Sequence, residues 1–140
     1  MSTHQIAAKP LCWWMDTQFG LALLLPLPAW LILSALGSRP ATSWWMLLLV
    51  APLVEEFAFR GTLQGALLRT TVGKIQYGAI SLANLITAAL FGGAHAIHHS
   101  AAFDLLTFFP GLVFGYFRER YSLLLPAILL HSYYNLGLLW

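Results

Sequence analysis

Between Phe19 and Gly37 the chain runs through nineteen residues without one ionisable side chain, and four more apolar stretches follow it at short intervals. Crossing a hydrocarbon core of about 30 Å takes roughly 20 such residues. The second stretch starts at Trp44 and reaches Leu68, interrupted by Glu55, Glu56 and Arg60. The third lies between Gly78 and Ala102. The fourth, Leu105 to Phe117, is short enough to tilt or to thin the bilayer locally, and the fifth runs from Tyr121 to Trp140. This pattern predicts an all-α fold, a polytopic transmembrane helical bundle of about five spans.

Composition agrees. Only 9% of the 140 residues are charged and 59% are hydrophobic, whereas a soluble domain carries about 25% charged residues. So few charges cannot cover a water-facing surface, so bilayer is the expected solvent for most of the chain. A net charge of +2 without a run of Lys or Arg gives no footprint for nucleic acid. The single cysteine, Cys12, leaves no internal disulfide and no thiolate cluster. The N-terminus, MSTHQIAAKPLCWW, lacks the charged-then-apolar order of a cleaved signal peptide, so the first stretch is expected to be retained as a span.

Lys9, Arg69, Lys74, Arg118 and Arg120 fall on one side of a five-span topology and Arg39 on the other. That asymmetry puts the N-terminus in the cytoplasm. Trp44 and Trp140 then lie at the outer interface and Trp13 with Trp14 at the inner one, where tryptophan prefers to sit. No repeat or linker divides residues 1–140, so one integral membrane domain is expected. Gly111 and Gly115 form a small-xxx-small pair suited to close helix packing. Prolines 26, 28, 52, 110 and 126 are expected to kink their helices.

Glu55, Glu56 and Arg60 are the costly residues. Eleven residues from Trp44, at 1.5 Å each, puts Glu55 roughly 16 Å deep, where ionisable groups are expensive and usually functional. The bland alternative is a buried ion network that only fixes helix packing. Glu56 and Arg60, four apart, share a face and can pair. Glu55 is turned by about 100° from Glu56 and about 140° from Arg60, so it is left without that cation. A carboxylate so placed in low dielectric can take and return protons near neutrality, which makes Glu55 the candidate general base and Glu56 the group that holds the geometry.

Two other stretches bring polar groups to similar depth. His131 and Asn135 are four apart on one face, with His131 roughly 14 Å from the Trp140 end. His95 reaches about 10 Å of depth if its helix continues past His99 to Ala102. Gly92 and Gly93 would let a neighbouring backbone approach, and His98 and His99 lie nearer the interface.

The segments EEFAFR (Glu55 to Arg60), FGGAH (Phe91 to His95) and HSYYN (His131 to Asn135) occur in order on separate stretches. Together they resemble the signatures EExxxR, FxxxH and HxxxN of the CPBP family, which holds the type II CAAX prenyl endopeptidases and the lysostaphin resistance protein A-like membrane proteins. The resemblance covers residues 44–140. It implies a glutamic intramembrane endopeptidase needing no cofactor and no metal, in which Glu55 and His95 activate a water. His131 and Asn135 would form the oxyanion hole, and Glu56 and Arg60 the supporting ion pair. The implied substrate is a membrane-anchored protein or peptide, cut in or near its C-terminal segment. In size the chain is similar to short bacterial members linked to C-terminal sorting, including the JDVT-type signal, which implies a multi-pass protein of a bacterial inner membrane. Two other readings compete. One is a membrane metalloenzyme built on His95, His99, His131 and Glu55, although an HExxH motif is absent; the other is a non-enzymatic transport or binding module whose buried charges line a polar path.

Overall fold

The computed structural model describes residues 12–36, 42–99 and 102–139. Lys9, Arg39 and Trp140, on which the orientation reading partly rests, lie outside the described residues, as do the side chains of His98 and His99.

The first helical run has two parts, α1 (Thr17–Ala22) and α2 (Leu27–Leu36). Asp16 starts it by accepting the Gln18 backbone N–H at 2.9 Å, the cap that orphan N-terminal donors require. The break comes at Pro26, as proline's missing N–H dictates. The second run is continuous from Trp44 to Leu67 but alternates in pitch: π turns at Met46–Val50 and Phe57–Gln64 flank α3 (Ala51–Glu56), and α4 (Gly65–Leu67) ends it. Wide π turns gather at functional sites, and here they bracket Glu55 and Glu56.

Two short strands, β1 (Gln76–Tyr77) and β2 (Ile80–Ser81), form an antiparallel hairpin with Gln76 opposite Ser81. It turns through Gly78, whose φ of +64° suits glycine. Residues 78–81, expected to open the third span, belong to this hairpin; α5 (Leu82–His99) begins after it, capped by Ser81 Oγ accepting from Asn84 N at 2.9 Å. A 3-10 segment (Ala102–Thr107) leads into α6 (Phe108–Tyr121). Tyr121, expected to start the last span, ends α6 instead; α7 (Leu125–Leu136) closes the bundle with a final 3-10 turn, Gly137–Leu139.

The chain is thus mostly helical, with α5, α6 and α7 packed in sequence against the second run. Among the described residues one run, Thr17–Ala35, is long and apolar enough to cross a membrane, and Leu82–Ile97 is apolar but shorter. The remaining runs either carry charges, as the second does at Glu55, Glu56 and Arg60, or fall short of 20 residues, as do α6 and α7.

A buried polar stripe runs beside an apolar core that includes Phe19, Phe114, Phe117 and Leu130, and many large apolar side chains face outward. Glu56, Arg60, Gln64, Ser81, Asn84 and Thr87 are fully buried or nearly so, whereas Leu31, Phe57 and Phe109 are 74%, 66% and 60% exposed. Large apolar side chains outside and polar ones inside is the arrangement bilayer solvation favours. Glycines allow the polar stripe to close: a Cβ on Gly111 would meet Ala88 Cα at 3.4 Å, one on Gly115 would run into the Asn84 amide, and one on Gly92 would meet Leu105 O at 3.0 Å. Gly93 has open space around it, so of the two expected contact glycines only Gly92 is approached closely.

Candidate active site

Arg60 anchors the site. Its Nη1 donates to Glu56 Oε1 at 3.1 Å and its Nη2 to the Gly111 carbonyl at 3.0 Å, with both side chains wholly buried. The guanidinium lies 4.3 Å from the centre of the Phe91 ring, a cation–π contact in a water-poor setting. Glu56 does more than pair with Arg60: the same Oε1 accepts from His131 Nδ1 at 2.9 Å. One carboxylate oxygen therefore ties the second run to α7 and aims the imidazole. The spacing of Glu56 and Arg60 foretold their pairing, but the His131 contact joins residues 75 positions apart, and no local period encodes it.

With Nδ1 committed to Glu56, His131 presents Nε2 to Glu55, 3.7 Å from Oε2. His95 does likewise from the other side. Its Nδ1 donates to the Phe91 carbonyl at 2.9 Å, one turn earlier on α5, and its Nε2 lies 3.6 Å from the same Glu55 Oε2. Both gaps exceed a direct hydrogen bond. Glu55 is 28% exposed and His95 21%, against 6% for His131 and none for Glu56. Part of the Glu55 side chain is exposed, but Oε2, the oxygen the imidazoles face, is itself buried, and Glu56 closes the site behind it. Phe114 stacks on His131 at 4.9 Å and 17°, and Phe91 meets it edge-on at 5.7 Å, so aromatic rings fix the imidazole plane.

The structure brings Glu55, His95 and His131 around one carboxylate oxygen, with Glu56 and Arg60 behind. Asn135 stands apart from that contact set: its Nδ2 donates to Leu47 O at 3.0 Å, a carbonyl in the first π turn of the second run. Among the described residues no group of three or more His, Cys, Asp or Glu is arranged to hold a metal ion. His99, which the metal reading needs, lies one turn beyond His95, and its side chain falls outside the described residues.

A polar stripe missing from the sequence reading extends the site away from Glu55. Gln64, one further turn along from Arg60, donates through Nε2 to Gly115 O at 3.1 Å and to Glu119 Oε1 at 2.6 Å. Ser81 Oγ donates to the same Glu119 oxygen at 2.5 Å, and Asn84 Nδ2 donates to Leu112 O at 3.0 Å. The spacing of Glu56, Arg60 and Gln64, four apart each time, was the available signal.

Beyond the helix ends, Asp16 receives Arg120 Nε at 2.6 Å and the Tyr121 hydroxyl at 2.5 Å. Burial alone would raise its pKa; the hydrogen bonds from Tyr121, Arg120 and Gln18 and the Arg120 charge outweigh that and hold it below the ordinary value.

The chain belongs to the Rce1-like family, type II CAAX prenyl endopeptidase, which it matches over residues 37–137. That family is one of membrane-embedded CAAX proteases. No curated protein and no solved structure matches the chain.

Proposed function

We propose that the protein is a glutamic-type intramembrane endopeptidase that hydrolyses a peptide bond in or near a membrane-anchored C-terminal segment. The observation that carries this reading is the convergence of His95 Nε2 and His131 Nε2 on Glu55 Oε2, at 3.6 and 3.7 Å. In this reading one water is held by the Glu55 carboxylate and an imidazole. Glu55 takes a proton from that water as its oxygen attacks the carbonyl carbon, and hands the proton to the leaving amine as the C–N bond breaks. His95 orients the water.

His131 serves as an oxyanion donor from its ring, whose Nδ1 is held at Glu56 Oε1. Asn135 supplies its second amide hydrogen to the same oxyanion while the first holds Leu47 O. Five helical passes place this pocket within the bilayer, the N-terminus facing the cytoplasm of a bacterium. The substrate is a membrane tail of the kind a C-terminal sorting signal provides.

The test is cleavage by protein reconstituted in lipid vesicles, in heavy-oxygen water. Two peptides are supplied, one a single apolar span with a short polar tail and one ending in a prenylated CAAX sequence. Cutting of the spanning peptide, with label in the new carboxylate, supports the reading. Cutting of the prenylated peptide alone would overturn the sorting substrate, and cutting of neither by folded protein would overturn the assignment.

A further inference from the structure

The first helical run lies ahead of the family match at residues 37–137, yet it is joined to the helix that carries His131 by two reciprocal hydrogen bonds. Pro26 has no N–H, so the Ala22 carbonyl four residues earlier loses its helical donor. It receives a 3-10 bond from Leu25 N at 3.3 Å and the Tyr134 hydroxyl at 2.8 Å. At the other end of the pair, the Tyr134 carbonyl lies in the last turn of α7. Trp30 Nε1 donates to it at 2.9 Å. Each helix thus donates one hydrogen bond to a carbonyl of the other.

The fit around Trp30 is tight. Its indole packs on the Tyr133 ring at 5.1 Å and sits so close to Gly137 that a Cβ there would strike it. From Tyr134 the contact continues inward: its ring meets Phe114 edge-on at 5.2 Å, and Phe114 stacks face to face on His131. His131 itself is three residues before Tyr134 on the same helix.

We propose that Tyr134 is a positioning residue for the reaction: clasped by Ala22 and Trp30 of the first helical run, it sets the placement of α7 that points His131 Nε2 at Glu55. The stretch from Ala22 to Trp30 is therefore a working part of the active site. This inference rests on the reading of Glu55 and His131 as reacting groups.

The experiment compares Tyr134→Phe, Trp30→Phe, the double variant and Asp16→Asn with wild type, all as full-length protein in vesicles. Assays are run below each variant's thermal midpoint. Tyr134→Phe and Trp30→Phe each remove one hydrogen bond without emptying the ring site. Each is expected to lower kcat roughly three- to tenfold with KM unchanged, because an orienting bond is lost while binding is not. The double variant is expected to fall short of the product of the two losses, since both act through one helix. Asp16→Asn, which loosens the same run at its far end, is expected to lower the thermal midpoint and leave kcat alone. Tyr134→Phe and Trp30→Phe with wild-type kcat, or with a changed KM alone, would overturn the proposal. Glu55→Gln is run alongside: if that variant keeps turning over, the hydrolase reading itself has failed, whereas an inactive Glu55→Gln beside a normal Tyr134→Phe sinks this inference only.

Discussion

Replacing Glu56 by glutamine keeps the side chain's length and removes its charge. Arg60 is then a wholly buried cation whose remaining partners are the Gly111 carbonyl and aromatic faces. Breaking a buried ion pair from one side costs about 3–5 kcal/mol, because the other charge stays behind. At about 2–4 °C per kcal/mol, the thermal midpoint in detergent is expected to fall by roughly 6–20 °C. Glu55→Gln, one residue away, is expected to melt within about 1 kcal/mol of wild type, because its carboxylate is part-exposed and makes no bond to Arg60. Glu56→Met/Arg60→Met is expected to recover much of the loss, since an apolar pair of similar volume often matches a buried ion pair. Glu56→Gln also weakens the acceptor of His131 Nδ1, so turnover per folded molecule is expected to drop too. A Glu56→Gln protein melting within about 2 °C of wild type would refute the view of Glu56 as the joint between Arg60 and His131.

Other outcomes follow from particular contacts. Gly115→Ala drives a Cβ into the Asn84 amide and is expected to cost about 1–3 kcal/mol, whereas Gly20→Ala meets nothing and is expected to be neutral or stabilising; paired melts in detergent check both. Because the Asp16 pKa is lowered in the fold, the stability it contributes is present above its ordinary value of 3.8 and is lost as pH falls through the lower folded value. Midpoints measured between neutrality and pH about 3 are expected to fall at the acid end in wild type and to show less of that fall in Asp16→Asn. Asn135→Ala is expected to lower kcat about 100- to 1,000-fold and leave a measurable residual rate, the usual loss of one oxyanion donor.

Much of this was legible in the sequence because it is local. The Glu56–Arg60 pair follows from a four-residue spacing, and the turning of Glu55 away from Arg60 from the helical period. The helix of His95 runs through His99, as expected, and brings that imidazole to Glu55. The small-residue pair Gly111 and Gly115 foretold close packing, and Pro26 a break. What stayed hidden depends on which helices become neighbours. The Glu56–His131 bond, the Gln64–Glu119–Ser81 cluster and the Tyr134 clasp each join segments far apart in the chain, and side-chain period is silent on those. The hairpin at residues 76–81 was hidden for another reason: Ile80, Ser81 and Leu82 read as the start of an apolar run, and only Gly78 marks a turn. The last span was overdrawn, because apolar composition runs past the end of α7 into a 3-10 turn, and the fourth was shifted: expected over 105–117, its helix is α6, Phe108–Tyr121.

The central claim is that Glu55 moves the proton in peptide hydrolysis, and its most direct measurement is kcat for Glu55→Gln against wild type, at equal folded fraction and on the same spanning peptide in vesicles. A base held by two imidazoles predicts a loss of about 100- to 10,000-fold with the thermal midpoint preserved. A folded Glu55→Gln protein that cleaves within tenfold of wild type, about 1.4 kcal/mol in the barrier, would contradict it.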